Sequence, residues 1–298
     1  MIELPDTEIE RLMAPYIHAE VEASDRQWTR ERDRLTAKSR KMRRRGVIKE
    51  LVGRGRSQAD VRKDYQDKIW PTYELAKRLV PPGQSTAIVW RDRHFFAGDM
   101  ATKRVHLALF MNAITATKPK HVLEVGSGVG LNILVLAARF PEIEFVGGEL
   151  TPAGVEATNA VAAEGIPETM ATFSPQPPER PSGALENVRA MEADASALPF
   201  SDEEFDLVFS AHALEQMEAI RTAAQSEMAR VSGSHVVMIE PFADWNTSEM
   251  RQNFILAKRY FQGSISDLEG LGLTIDTVTG DIPSKLTMGM GFAMAHKS

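Results

Sequence analysis

The stretch His121-Val122-Leu123-Glu124-Val125-Gly126-Ser127-Gly128-Val129-Gly130 constrains this chain more than any other. Apolar residues and one acid lead into three glycines at alternate positions, and Leu131-Asn132-Ile133-Leu134-Val135-Leu136-Ala137 then reads as a helix. The order is a buried strand, a tight turn and a helix start. Glycine is needed in such a turn because a ligand must approach the backbone more closely than a Cβ permits. A dinucleotide fingerprint puts its third glycine three residues after the second, at position 131, and that residue is Leu131. A nicotinamide dehydrogenase is therefore disfavoured.

From Lys118 onward strands and helices alternate. Strand patterns fall at residues 143–149, 188–194, 205–210 and 235–240, and two C-terminal strands are expected at 273–279 and 286–296. This alternation predicts an α/β fold, Rossmann-like and doubly wound, with a mostly parallel seven-stranded sheet covered on both faces. Ligands of such sheets lie outside the carboxyl ends of the strands, where the strand order switches, here between the first and fourth strands. Residues 167–186 hold five prolines and read as a surface loop at the opposite edge.

Residues 1–115 are expected to form a helical extension to a domain at 116–298. Ile9, Leu12, Met13, Tyr16, Ile17 and Val21 recur at three- and four-residue steps, which predicts one helix over 7–45. Its apolar stripe then thins to Trp28, Leu35 and Met42, too narrow for a coiled-coil seam, so the helix should lie on another surface of this chain or of a partner. A homodimer through these helices is one expectation. Gly46, Gly53 and Gly55 should break the helix, with Ser57 capping the next. Residues 91–99 read as an aromatic, charged loop before a helix over about 100–115.

The 298 residues, 43% hydrophobic and 26% charged, suit a soluble chain with a full core. No apolar run approaches the roughly 18 residues that span a bilayer. The acidic N-terminus lacks a signal core, which predicts a cytoplasmic protein. The absence of cysteine excludes disulfides, thiolate ligands and a cysteine nucleophile, and the seven histidines show no H-x-x-x-H spacing, so no metal site is expected. The net charge of −6 hides a local balance of +10 between Arg26 and Arg56, which leaves −16 elsewhere. Such a split marks an acidic partner, a nucleic acid or only a solvated face.

Four places in order give the chain a family resemblance. They are the E-x-G-x-G-x-G of residues 124–130, the acid Glu149 ending the second strand, Asp194-Ala195 ending the third before Leu198-Pro199-Phe200, and Phe205-Asp206-Leu207-Val208-Phe209-Ser210. Together they resemble the class I S-adenosylmethionine-dependent methyltransferases, in the small-molecule "type 11" branch, over residues 118–298. The resemblance implies S-adenosyl-L-methionine as cofactor. Its site would comprise Glu124, Gly126, Ser127, Gly128 and Gly130, with Glu149 and Leu150 at the ribose, Asp194 and Ala195 at the adenine, and Ser210 near the methyl group. A carboxylate can accept from both ribose hydroxyls at once, which explains the residue type at 149.

His212 follows the fourth strand and is the nearest titratable candidate for a catalytic base, although Gln216 stands where related sequences carry a second histidine. The methyl acceptor is expected against an aromatic wall of Tyr65, Trp70, Tyr73, His94, Phe95, Phe96 and Trp245, which suits a cationic or planar small molecule. The basic run 40–45 keeps an RNA acceptor as an alternative, and a cofactor-binding regulator without turnover is another. Against nucleic acid stand the sparse aromatics nearby and Ser-Ala-His-Ala after the fourth strand.

Overall fold

The computed structural model describes residues 2–51 and 58–297; Gly53, Gly55 and Ser57 lie outside them. The chain opens with α1 (Asp6–Met13), β1 (Ile17–Val21), α2 (Arg26–Leu51), α3 (Gln58–Asp64) and α4 (Leu75–Arg78). A hairpin of β2 (Ser85–Trp90) and β3 (Arg93–Gly98) leads to the helix α5 (Met100–Thr117). Then come β4 (His121–Val125), α6 (Leu131–Arg139), β5 (Glu144–Glu149), α7 (Pro152–Glu164), α8 (Glu168–Phe173), β6 (Val188–Glu192), β7 (Phe205–Ala211) and α9 (Arg221–Val231). The chain closes with β8 (Ser232–Glu240), α10 (Glu249–Lys258), α11 (Ser266–Glu269), β9 (Leu273–Thr279), β10 (Ser284–Lys285) and β11 (Gly291–Lys297).

Seven strands form one sheet in the order β6-β5-β4-β7-β8-β11-β9, parallel except for β11, which runs antiparallel to β8 and β9. This is the doubly wound sheet expected from the alternation, with its order switching between β4 and β7. Side chains alternate across it as the period of two requires. Val122, Leu207, Phe209, Val237 and Ile239 face α5 and α6, whereas Leu123, Val125, Val208, Val236 and Met238 pack with α9 and α11. Phe110 of α5 stacks against Phe209 of β7 with ring centroids 4.5 Å apart. Asp206 accepts from the backbone N–H groups of Lys120 and His121 at 2.7 and 2.9 Å and so fixes the start of β4.

The N-terminal region is not all helical. Strands β1, β3, β2 and β10 form a second, antiparallel sheet in that order. The helix expected over 7–45 stops at Met13, a 3-10 turn containing Pro15 follows, and residues 17–21 pair with β3. Proline removes the N–H that a continuing helix would need. Residues 91–99 are a hairpin arm rather than a loop. Arg93 pairs with Glu10 of α1 and Glu20 of β1, while Arg91 reaches Asp6 and Asp281, so the arginines tie the hairpin to both ends of the chain.

The long helix finds its surface within the chain. α2 packs along α10, where Arg40 pairs with Glu249 at 2.7 Å, and Trp28 packs edge-on to Phe96. Gly46 does not break α2; it lies within the helix, where a Cβ would make an ordinary contact of 3.7 Å with the Ala257 Cα of α10. The proline-rich segment also departs from a surface loop. Within it α8 buries Met170 and Phe173, and the buried Arg104 of α5 donates to the Phe173 and Leu12 carbonyls, both at 2.9 Å. Among the described residues no helix is long and apolar enough to cross a membrane.

Candidate active site

A cavity of about 450 Å³ opens at the carboxyl ends of β4, β5 and β7, at the switch in strand order. Its floor is the glycine turn. Gly126, Gly128 and Gly130 have φ of 75°, 58° and 79°, a left-handed conformation that costs glycine little. Space is short as well: a Cβ at Gly126 would stand 2.5 Å from the Ala213 Cβ, which cannot stay in place, and one at Gly128 would press on the Trp70 indole at 3.1 Å. The Gly126 and Ser127 N–H groups donate to the Gly148 carbonyl at 2.7 and 3.2 Å, which folds the turn over β5.

Two carboxylates flank this turn. Glu149 ends β5, only 6% exposed, and accepts from the Gly128 N–H at 3.0 Å and from the Thr151 N–H and hydroxyl at 3.1 and 2.6 Å. Glu124 is 1% exposed and points to the α5–α6 face. Its Oε1 accepts from Asn132 of α6 at 2.6 Å, while its Oε2 is buried without a hydrogen-bond partner among protein groups. Burial raises its pKa to about 8 against the opposing Asn132 hydrogen bond and the Lys103 charge. Lys103, from α5, lines the same cavity, and burial lowers its ammonium to about 8.

The rim after β7 carries His212 with φ of 58°, a strained conformation for histidine. Glu240, fully buried at the end of β8, holds that turn: its carboxyl accepts from the Ala213, Leu214 and Glu215 N–H groups, each at 3.1 Å. Burial and the neighbouring Glu215 raise the Glu240 pKa to about 8. The His212 Nε2 lies 3.1 Å from the His106 Nδ1 of α5, and its Nδ1 lies 3.4 Å from Glu215. Desolvation pushes both imidazoles well below the ordinary histidine range, and the His212 charge would further oppose protonation of His106. The pair is therefore neutral near pH 7.

An aromatic lid lies over the turn. A π-helical turn at Tyr65–Ile69 and a 3-10 turn at Trp70–Thr72 bring Tyr65, Trp70 and Tyr73 together, with centroids 4.9 and 5.4 Å from the indole. Gln66 accepts from the Ala153 N–H at 3.0 Å and Arg62 pairs with Glu192 at 3.0 Å, so the lid is tied to α7 and β6.

The structure gathers Glu124, Gly126, Ser127, Gly128, Glu149, Leu150, Ala195 and His212 around the cavity with the three lid aromatics. Gly130, Asp194 and Ser210 are not among its walls. Gly130 lets the turn pass Thr158, Ser210 is buried within β7, and the Asp194 Oδ1 accepts from the N–H and hydroxyl of Ser196, a local turn contact. His94, Phe95, Phe96 and Trp245 do not form an acceptor wall. The first three belong to β3, where Phe95 joins the main core and His94 and Phe96 pack on Trp28. Trp245 packs against Phe242 and fills the space beside Gly280 and Gly291. Lys103 and His106 escaped the sequence reading, as did the hold of Glu240 on the turn after β7. For Lys103 and His106 a trace existed: they stand one turn apart in a helix that is otherwise largely apolar.

A family profile described as a methyltransferase domain matches residues 123–238. The chain is 30% identical over 176 residues to the demethylmenaquinone methyltransferase of Thermus thermophilus, a match covering 58% of this chain and 62% of that one. It is 32% identical over 124 residues to a probable chloroplastic tocopherol O-methyltransferase of Oryza sativa, covering 41% and 29%. The chain thus spans less than two thirds of the length of either relative. Among solved structures, the magnesium protoporphyrin IX methyltransferase of Synechocystis PCC 6803 with bound S-adenosylhomocysteine is similar with a TM-score of 0.56 at 15% identity, over 81% of this chain and 100% of that one. The same enzyme with S-adenosylmethionine gives 0.50 at 14% identity, over 80% and 96%. At such identities the likeness is one of fold.

Proposed function

We propose that this chain, whose sheet domain belongs to the class I S-adenosylmethionine-dependent methyltransferases, binds S-adenosylmethionine along the glycine turn and methylates an oxygen, nitrogen or sulfur of a small molecule. One observation carries the reading: the cavity at the switch point places two buried carboxyls, Glu124 and Glu149, on either side of a turn that only glycine can form. The residues fit the cofactor. Glu149 keeps about one lone-pair site free, on the Oε2 that faces Gly128, for a ribose hydroxyl, the glycines leave room for the adenosyl group, and Glu124 has an oxygen facing away from Asn132. When bound, the cofactor supplies a methyl carbon activated by positive sulfur.

The chain's own work is alignment and exclusion of water. Trp70 and Tyr73 cover the turn, and alignment of the reacting atoms can supply up to roughly 7–11 kcal/mol of barrier reduction. His212, neutral and on the cavity wall, is the group placed to take a proton from an acceptor that must lose one. A small acceptor suits a covered cavity to which, among the described residues, the basic helix α2 contributes no wall. The relatives named for demethylmenaquinone and tocopherol support the same choice.

The test uses methyl-labelled S-adenosylmethionine with the small-molecule and RNA fractions of a cell extract. Label should enter the small-molecule fraction, and Glu149→Ala should weaken cofactor binding in calorimetry by roughly 10- to 100-fold while the protein stays folded. Label in RNA alone, or unchanged affinity of the variant, overturns the reading.

A further inference from the structure

The cavity walls carry positive charge that the protein does not answer. Of the acids there, Glu149 is bound to the glycine turn and Thr151, Glu124 to Asn132, and Glu218 to Arg221 at 3.2 Å and the Gln262 N–H at 2.8 Å. Of the bases, Arg62 pairs with Glu192, whereas no hydrogen bond or ion pair holds Lys103 or Lys258 among the described residues. Lys258 is exposed at the end of α10, and Lys103 is withdrawn from water. Glu215, Glu124 and Glu240 favour the Lys103 charge and Lys285 opposes it; burial raises the pKa of all three acids, so they answer that charge only in part.

The same surroundings work against a base. His212 turns Nε2 to His106 at 3.1 Å and Nδ1 to Glu215 at 3.4 Å. A proton added to it would stand in the field of Lys103 and Lys285. A general base acts best when its pKa lies near the working pH, and this one is held below it. An acceptor with no proton to lose avoids that cost. Thiols and phenols ionise at about pH 8.5 and about pH 10 and would need the base; a carboxyl group, ionised above about pH 4, does not. An uncharged nitrogen needs no base either, but methylation would leave it cationic beside Lys103.

We propose that the acceptor is a small carboxylate, that the Lys103 ammonium holds it by charge-assisted hydrogen bonding, and that its oxygen takes the methyl group as an ester. This rests on the proposed function and names its acceptor class. The carboxylate oxygen supplies the electron pair of the new C–O bond, the C–S pair leaves with sulfur, and no proton moves. Lys103 lies two helical turns before Phe110, whose stacking on Phe209 docks α5 against β7 and brings the ammonium to the cavity. That helix lies outside the residues that match the family profile.

Two planar probes of one shape, cinnamate and cinnamamide, test the seat in calorimetry with S-adenosylhomocysteine present. The wild type should bind cinnamate roughly 10- to 100-fold more tightly, the scale of a charge-assisted hydrogen bond. Lys103→Met should erase that preference and Lys103→Arg should keep part of it, while both bind S-adenosylhomocysteine like the wild type. Label transferred to the small molecules of a cell extract should be released as methanol by mild alkali, as from esters and not from ethers, thioethers or methylamines. A wild type that does not prefer the anion, a Lys103→Met protein that keeps the preference or loses S-adenosylhomocysteine with it, or alkali-stable label overturns the carboxylate seat. A wild type that binds no S-adenosylhomocysteine overturns the proposed function itself.

Discussion

Glu124 shows what enclosure does to a carboxyl group. With its pKa raised to about 8, the folded protein retains a proton that the unfolded chain releases near pH 4.5. Folding then binds more protons, and this contribution to stability is lost as pH rises towards about 8. Glu240, also raised to about 8, acts in the same direction. The buried histidines act oppositely, but only below their unfolded pKa of about 6.5, and Lys103, lowered to about 8, begins to oppose only above that pH. The ligand-free protein should therefore lose stability between pH 6.5 and 8. Each protonated carboxyl accounts for up to about 1.4 kcal/mol per pH unit. Urea unfolding at the two pH values should show a smaller difference for Glu124→Gln; an undiminished difference would mean that the carboxyl is already ionised. Nothing in the spacing of β4 announces this behaviour. Glu124 was legible as a site residue from its place before the glycines, whereas its unpaired oxygen depends on α5 and α6.

At the scale of elements, the lid and the glycine turn act as one device. Gly128 is both left-handed and within contact distance of the Trp70 indole, so Gly128→Val strains the turn and pushes the lid outward. Cofactor affinity should fall at least about 10-fold, and the tryptophan emission should shift to the red as the indole gains water. A variant with wild-type emission and affinity would show that the indole does not rest on the turn. The Tyr65, Trp70 and Tyr73 cluster was legible as aromatic, but not its place over the turn. The same reading grouped them with His94, Phe95, Phe96 and Trp245, which the hairpin and the C-terminal strands absorb into packing. Short amphipathic stretches explain the error. Ile17-His18-Ala19-Glu20-Val21 satisfies a helical stripe and a period of two alike, and its pairing with β3 decides between them.

The whole molecule depends on one core that crosses the expected boundary at residue 115. Ile9, Leu12 and Met13 of α1, the apolar face of α5 and the inner faces of β4, β7 and β8 belong to a single cluster. Phe110→Ala should cost roughly 3–5 kcal/mol, a large share of a typical 5–15, and should lower the urea midpoint without changing which ligand is bound. A loss below about 1 kcal/mol would show that α5 is an appendage and not a layer of the fold.

By itself the sequence determined the strand-turn-helix at residues 121–137, the alternation that makes a doubly wound sheet, and the acids at the strand tips. These are local features, written in periods of 2 and 3.6 and in the conformational freedom of glycine. Only the tertiary structure decided that Lys103 faces the cavity and His106 meets His212, that Glu240 pins the turn of His212, and that β1, β2 and β3 join β10 in a second sheet. Such contacts join positions far apart in the chain, 106 residues for His106 and His212 and more for β2 and β10, and their geometry arises from how helices and sheets stack, which no local period records.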